Sequence, residues 1–293
     1  MPGKNHLVVI DPQNDFCDLP ERYRPRLAGT EPVAPSLPVP GAHADMLRVA
    51  AIIREGGAGL AGISVTLDSH HHLDIGHPTF WETAEGGAVG PFTTISAADV
   101  RDGRFRPRWK DAGARVQAYL EALEAQGRFT HMVWPIHCEI GTWGHNVHDD
   151  VRLACNRWEE SRLAIVNMVI KGTNPWTEHY SAIQAEVPDP ADETTQINQA
   201  FLAELRQADR IFITGEAASH CVKATTEHIA DAFTRAGDDL SRLVLVTDCM
   251  SPVAGFQDAY TDFLVQMKTR GLSTAVSADV IAELCENALE SRP

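Results

Sequence analysis

The chain has 293 residues and 44% hydrophobic content, enough to bury a substantial core in one large domain or two small ones. Its 25 Lys and Arg against 40 Asp and Glu give a formal net charge of −15 with no basic stripe. That argues against nucleic acid and anionic membranes as partners and leans toward a neutral or cationic substrate. Six cysteines without a CxxC pair do not make a disulfide scaffold. The apolar run near the N-terminus is too short for a secretory leader, and no segment reaches the ~20 apolar residues of a membrane span. A cytoplasmic, reduced protein is expected.

In chain order, HLVVI (6–10) reads as the first strand. Residues 17–41 hold six prolines and read as a loop. Met46, Val49, Ala50 and Ile53 mark a helix face, and LAGISVTL (60–67) is a second strand. Residues 72–130, rich in Gly, Pro, Arg and Trp, interrupt the rhythm before the MVWP run (132–135) and are expected to form an inserted lid or subdomain. Strands follow at LAIVNMVI (163–170), RIFIT (210–214), RLVLVT (242–247) and STAVS (273–277). Val222, Thr225, Ile229 and Phe233 mark a helix among them, and Phe256, Tyr260, Phe263 and Met267 mark another. Near-continuous apolar strands alternating with helices predict a doubly wound, open parallel α/β sheet with helices on both faces. Residues 1–293 are read as one domain carrying the insertion.

Ligands of such sheets sit at the carboxyl ends of the strands. Asp11 follows HLVVI, Lys171 follows LAIVNMVI, and Cys221 opens a helix just after RIFITG. A thiol at a helix N-terminus beside a lysine is expected to favour thiolate. Each residue alone has a bland reading: a turn cap for Asp11, a solvated strand end for Lys171, a buried structural thiol for Cys221. Their shared address makes the catalytic reading the better one. A second cluster lies in TLDSHHHLDIGHP (66–78) and WPIHC (134–138). Asp68 and His70 point the same way on an extended chain, and Asp/His sets suit zinc, iron or manganese. His137 has to come from the next strand end, and His71, His72 and His77 are further candidates left unranked. The competing reading is a run of surface histidines.

DPQNDF, LDSH, WPIHC followed by GT, KG followed by YSA, and GEAASHCV resemble, in order along nearly the whole chain, the signature segments of the nicotinamidase branch of the isochorismatase-like cysteine hydrolases. The resemblance implies a triad of Asp11, Lys171 and Cys221. It implies metal ligands Asp68, His70 and His137, and Phe16 and Trp134 flanking a substrate ring, with Tyr180 nearby. It also implies a cis peptide at Glu216–Ala217 and an oxyanion hole from the N–H groups of Ala217 and Cys221. The chain departs from the family pattern at Ser219, where an Asp usually stands, and in NPWTEH between Lys171 and Tyr180.

The expected reaction is hydrolysis of a small primary carboxamide, nicotinamide first, with one divalent metal orienting the ring. Zinc is the first choice of metal, with iron or manganese as alternatives. The expected partners are this small amide and further copies of the chain. Three other readings are a metal-independent carbamoyl or ureide amidohydrolase, a vinyl-ether hydrolase, and a metal- or ligand-binding protein without turnover. The Asp68/His70/His137 set argues against the first of these and Cys221 against the second.

Overall fold

The computed structural model describes residues 3–26, 29 and 31–290. In chain order the first half runs β1 (Asn5–Ile10), α1 (Ala42–Gly56), β2 (Leu60–Asp68), β3 (Trp81–Thr83), β4 (Thr93–Thr94), α2 (Ala97–Arg101), β5 (Phe105–Pro107), α3 (Gly113–Gln126) and β6 (Met132–Val133). The second half runs α4 (Asp149–Arg162), β7 (Asn167–Lys171), α5 (Gln199–Arg206), β8 (Arg210–Gly215), α6 (Cys221–Ala236), β9 (Leu243–Val246), α7 (Gln257–Arg270), β10 (Ser273–Ala275) and α8 (Ser277–Glu290).

Six strands form one sheet in the order β10-β9-β8-β1-β2-β7, every neighbouring pair parallel. All six residues of β1 are buried, as a strand covered on both faces must be. On its flanks α1 packs with α4 and α8, and α6 packs with α7. The order of connections reverses at β1, whose neighbours are β2 and β8, so the crevice at its carboxyl end is the natural ligand address.

One expected strand is shorter than its apolar run, and the run after the insertion stays outside the central sheet. Of LAIVNMVI only the second half pairs in the sheet, because Leu163 adopts φ 48° and ends α4, while Val166 N–H is held by Glu159 Oε1 at 2.8 Å. The MVWP run contributes two residues, β6, which pair antiparallel with β4 and not with the central sheet. Residues 75–133 hold a second hydrophobic cluster, in which Phe80, Trp81, Ile95, Val116 and Leu120 are buried. The segment is therefore built on its own packed side chains: α2, α3 and two short hairpin-like sheets, β3-β5 and β4-β6. No described helix is long and apolar enough to cross a membrane.

Candidate active site

Four parallel strands, β8, β1, β2 and β7, end together. Register pairs Ile10 with Gly215 and Asp68 with Lys171, so the residues just past these ends meet. Gly215 has φ 115°, and a Cβ there would lie 2.0 Å from Ile10 O. Only glycine lets the chain turn there from β8 into the loop that starts α6 with Cys221. Asp11 sits at φ 43°, an uncommon conformation for a side chain other than glycine, and Thr66 holds it twice. Thr66 Oγ1 accepts from Asp11 N–H at 3.0 Å and donates to Asp11 Oδ1 at 2.5 Å.

Lys171 Nζ is the hub. It lies 2.9 Å from Asp11 Oδ2, donates to Asp68 Oδ1 at 2.9 Å and to the carbonyl of His179 at 3.0 Å, and is 3.7 Å from Cys221 Sγ. All four side chains are buried. Buried charges persist only when paired. Burial opposes the Lys171 charge, but the carboxylates of Asp11 and Asp68 overcome it and hold the ammonium well above its usual range. Burial pushes the Asp11 carboxyl up, against the pull of Lys171. Asp68 is driven well below the usual range because His70 and Lys171 outweigh its burial. The thiol corrects the expectation of a resting thiolate. Lys171 lowers it, yet burial, Asp11 and Asp68 push the Cys221 thiol well above its ordinary value. A second negative neighbour and a dry site outweigh one cation and a helix turn.

Next to this group, Asp68 Oδ2 is 3.1 Å from His70 Nε2 and 3.5 Å from His137 Nε2. His70 Nδ1 faces Asp74 Oδ2 at 3.1 Å, and His137 Nδ1 donates to Pro135 O at 2.8 Å. Both rings thus turn Nε2 toward Asp68, with the far nitrogen engaged by a carboxylate or carbonyl, as ligating histidines are usually held. His77 joins them: one ligand atom each of His70, His77 and His137 lies within 4.8 Å of the others, and His77 Nδ1 is buried without a partner. One carboxylate and three imidazoles, one with an orphaned nitrogen, fit a divalent cation of the zinc, iron or manganese kind. His71 and His72 do not belong. Both are exposed, and His72 pairs with Glu139 at 3.1 Å.

A narrow pocket opens onto Cys221, lined by Phe16, Trp134, Glu178, Tyr180 and His220 among others. Trp134 Nε1–H donates to Tyr180 OH at 3.0 Å, fixing both rings. The Glu216–Ala217 peptide is cis, and among the described residues neither Ala217 N–H nor Cys221 N–H donates a hydrogen bond within the protein. A larger open cleft lies beside Arg128 and His228, but neither the triad nor the histidine cluster lines it. The sequence reading missed Glu178 and Thr66. Glu178 is 3% exposed with Oε1 unpartnered, and burial lifts its carboxyl to about 8. Thr66 stands two residues before Asp68 on β2, so the strand turns both toward the same site, and Glu178 stands two residues before Tyr180. That signal was available.

The fold and site define a doubly wound α/β protein with a buried Asp–Lys–Cys group beside an Asp/His cluster. No protein-family model matches the sequence, and no curated protein matches it either. Among solved structures the chain is similar to a nicotinamidase/pyrazinamidase of Acinetobacter baumanii, at 18% identity and TM-score 0.59 over 96% of this chain and 99% of that one. It is similar to the yeast nicotinamidase at 20% identity and TM-score 0.57, over 93% and 99%. It is also similar to the pyrazinamidase of Pyrococcus horikoshii in complex with zinc, at 19% identity and TM-score 0.50, over 93% and 99%. The chain shares the fold of these three structures.

Proposed function

We propose that this chain hydrolyses a small primary carboxamide to the acid and ammonia through a Cys221 thioester, with nicotinamide the first substrate to test. The observation that carries the reading is the meeting of Asp11, Lys171 and Cys221 around one ammonium at the wall of an aromatic cavity. The nicotinamidase fold of the solved neighbours supports it.

In this reading Asp11 takes the thiol proton as Sγ attacks the amide carbon. A protonated resting thiol makes that base necessary. The N–H groups of Ala217 and Cys221 receive the oxyanion, a contribution of ~3 kcal/mol per donor. As the C–N bond breaks, Asp11 returns the proton to the leaving ammonia. Water then enters, loses a proton to Asp11 and attacks the thioester, and the proton returns to Sγ. Lys171 keeps Asp11 within reach throughout. Asp68, His70, His77 and His137 would hold one divalent cation, with zinc favoured by the zinc-bound neighbour. When bound, the ion supplies a Lewis-acidic position for water at the cavity wall. A ureide hydrolase working without metal has no use for this cluster.

The test is ammonia release from a panel of amides and ureides, nicotinamide included, by metal-loaded and chelated protein. Release from carboxamides that depends on Cys221 supports the reading. Full activity on ureides alone, indifferent to chelation, overturns it.

A further inference from the structure

The turn that delivers Cys221 also carries Ser219 and His220, which the steps above do not use. Ser219 is 1% exposed, and its Oγ accepts from Val253 N–H at 3.1 Å. A buried hydroxyl must also place its own proton, and a backbone N–H cannot take it. Among the described residues the acceptor within reach is His220 Nδ1, at 2.9 Å. Ser219 therefore donates to Nδ1, and the ring proton of a neutral His220 resides on Nε2. The ring is neutral because burial lowers His220 to about 4.

His220 lines the cavity, with no partner within the protein for Nε2 among the described residues. Its ring is clamped: stacked on Phe129 at 22° and 5.9 Å, and edge-on to Trp134 at 5.1 Å and to Phe256 at 4.7 Å. Flipping it would mean repacking three aromatic neighbours. The sequence departure at Ser219 now has a chemical meaning. An Asp at that position is an acceptor when ionised; it would draw the proton to Nδ1 and leave Nε2 as an acceptor. Serine reverses the polarity.

Resting on the amide-hydrolase reading, we propose that Ser219 is a positioning residue that fixes the Nε2–H tautomer of His220. His220 in turn selects flat aromatic carboxamides with a hydrogen-bond acceptor, a ring nitrogen or carbonyl, facing the α6 turn. A site that presents a buried donor discriminates against an analogue lacking the acceptor, because the donor is then left unpaired.

The first experiment is nitrogen-15 NMR of the histidines in wild-type protein, with His220 assigned by its loss in His220→Phe. The second is the kcat/KM ratio of nicotinamide to benzamide in wild type, Ser219→Ala, Ser219→Asp and His220→Phe, each checked for folding by circular dichroism. The expected result is an unprotonated Nδ1 and protonated Nε2 in wild type and a proton moved to Nδ1 in Ser219→Asp. The nicotinamide-to-benzamide ratio should fall about tenfold in Ser219→Asp and in His220→Phe. A wild-type His220 protonated at Nδ1 overturns the tautomer, and an unchanged ratio in His220→Phe overturns its role in selection. Wild-type protein that releases no ammonia from any carboxamide overturns the reaction and the substrate class with it, while the NMR spectrum still decides the tautomer.

Discussion

At the residue scale the informative contrast is between Cys221 and Lys171. Cys221 is a small side chain, 5% exposed, whose loss removes a single sulfur from the cavity wall. Cys221→Ala should therefore abolish ammonia release while costing ~1 kcal/mol of stability, a melting shift of a few degrees. Activity above a few per cent of wild type in a clean preparation would sink the nucleophile assignment. Lys171 is different in kind, because Asp11 and Asp68 are both buried against its single ammonium. Lys171→Met strands two carboxylates and should cost about 3–5 kcal/mol as well as activity. Thermal unfolding of the two variants side by side checks this, and equal stability would mean that the carboxylates find another counter-charge. The trio was legible because each member closes a strand or opens a helix, where periodicity gives out at a definable point. His77 could be named but not ranked, since it lies in a loop where spacing says nothing about which way a ring faces. The thiol's protonation state was misread because it depends first on burial and then on the approach of Asp11 and Asp68, which no local pattern encodes.

Among elements, the strands were the readable part. β1, β2, β8 and β9 are apolar runs that announce themselves, and α1 and α6 show a clear apolar stripe. α4 went unread because only Val151, Ala154, Cys155 and Trp158 of its residues are buried and the rest is strongly polar. Its last turn then lent Leu163 to what looked like a longer strand. One junction between elements has a consequence for stability. Glu186, in the loop after β7, is 1% exposed with both carboxylate oxygens lacking hydrogen bonds, and Arg128, just beyond α3, lies 3.5 Å away. Arg128 is shared with Glu227 and His228 of α6. Burial, only partly offset by Arg128, raises the Glu186 carboxyl from 4.5 to about 7. Its folded value lies above its unfolded one, so its contribution is full below about 4.5 and is lost as pH rises toward about 7. Glu186→Gln removes that loss. Relative to wild type it should be more stable at pH ~8 than at pH ~5 by about 1–3 kcal/mol, at ~1.4 kcal/mol per pKa unit. Melting curves at the two pH values decide, and a variant that fares worse at the higher pH would show that the ionised pair with Arg128 dominates.

For the whole molecule, the histidine cluster is where separately packed parts of the chain are joined. Asp68 ends β2 of the central sheet, His70 and His77 follow it into the segment with the second hydrophobic core, and His137 arrives after β6. His70 and His137 lie close only because the chain between them has folded; backbone bonds from His70 N–H to Cys138 O at 3.1 Å and from Ile140 N–H to His70 O at 3.0 Å hold the two stretches together. An unfolded chain presents no such set, so ion binding favours the folded state by mass action, about 2.7 kcal/mol when free metal is a hundred times its Kd. Purified protein loaded with zinc should carry about one ion per chain and melt higher than chelated protein. Asp68→Ala, His70→Ala and His137→Ala should each lose most of the metal and the stabilisation. His77→Ala should lose less than Asp68→Ala, because it removes a neutral donor and Asp68 is the charged one. His71→Ala and His72→Ala should lose none, since both rings are exposed. Asp68→Ala also leaves Lys171 with one fewer carboxylate, so its chelated form has to be compared with chelated wild type to separate that cost from the metal's. Metal content by elemental analysis and the metal-dependent part of the melting shift should fall together across the series. If His71→Ala or His72→Ala loses the ion while His137→Ala keeps it, the cation belongs to the exposed histidines and the buried cluster is not its site.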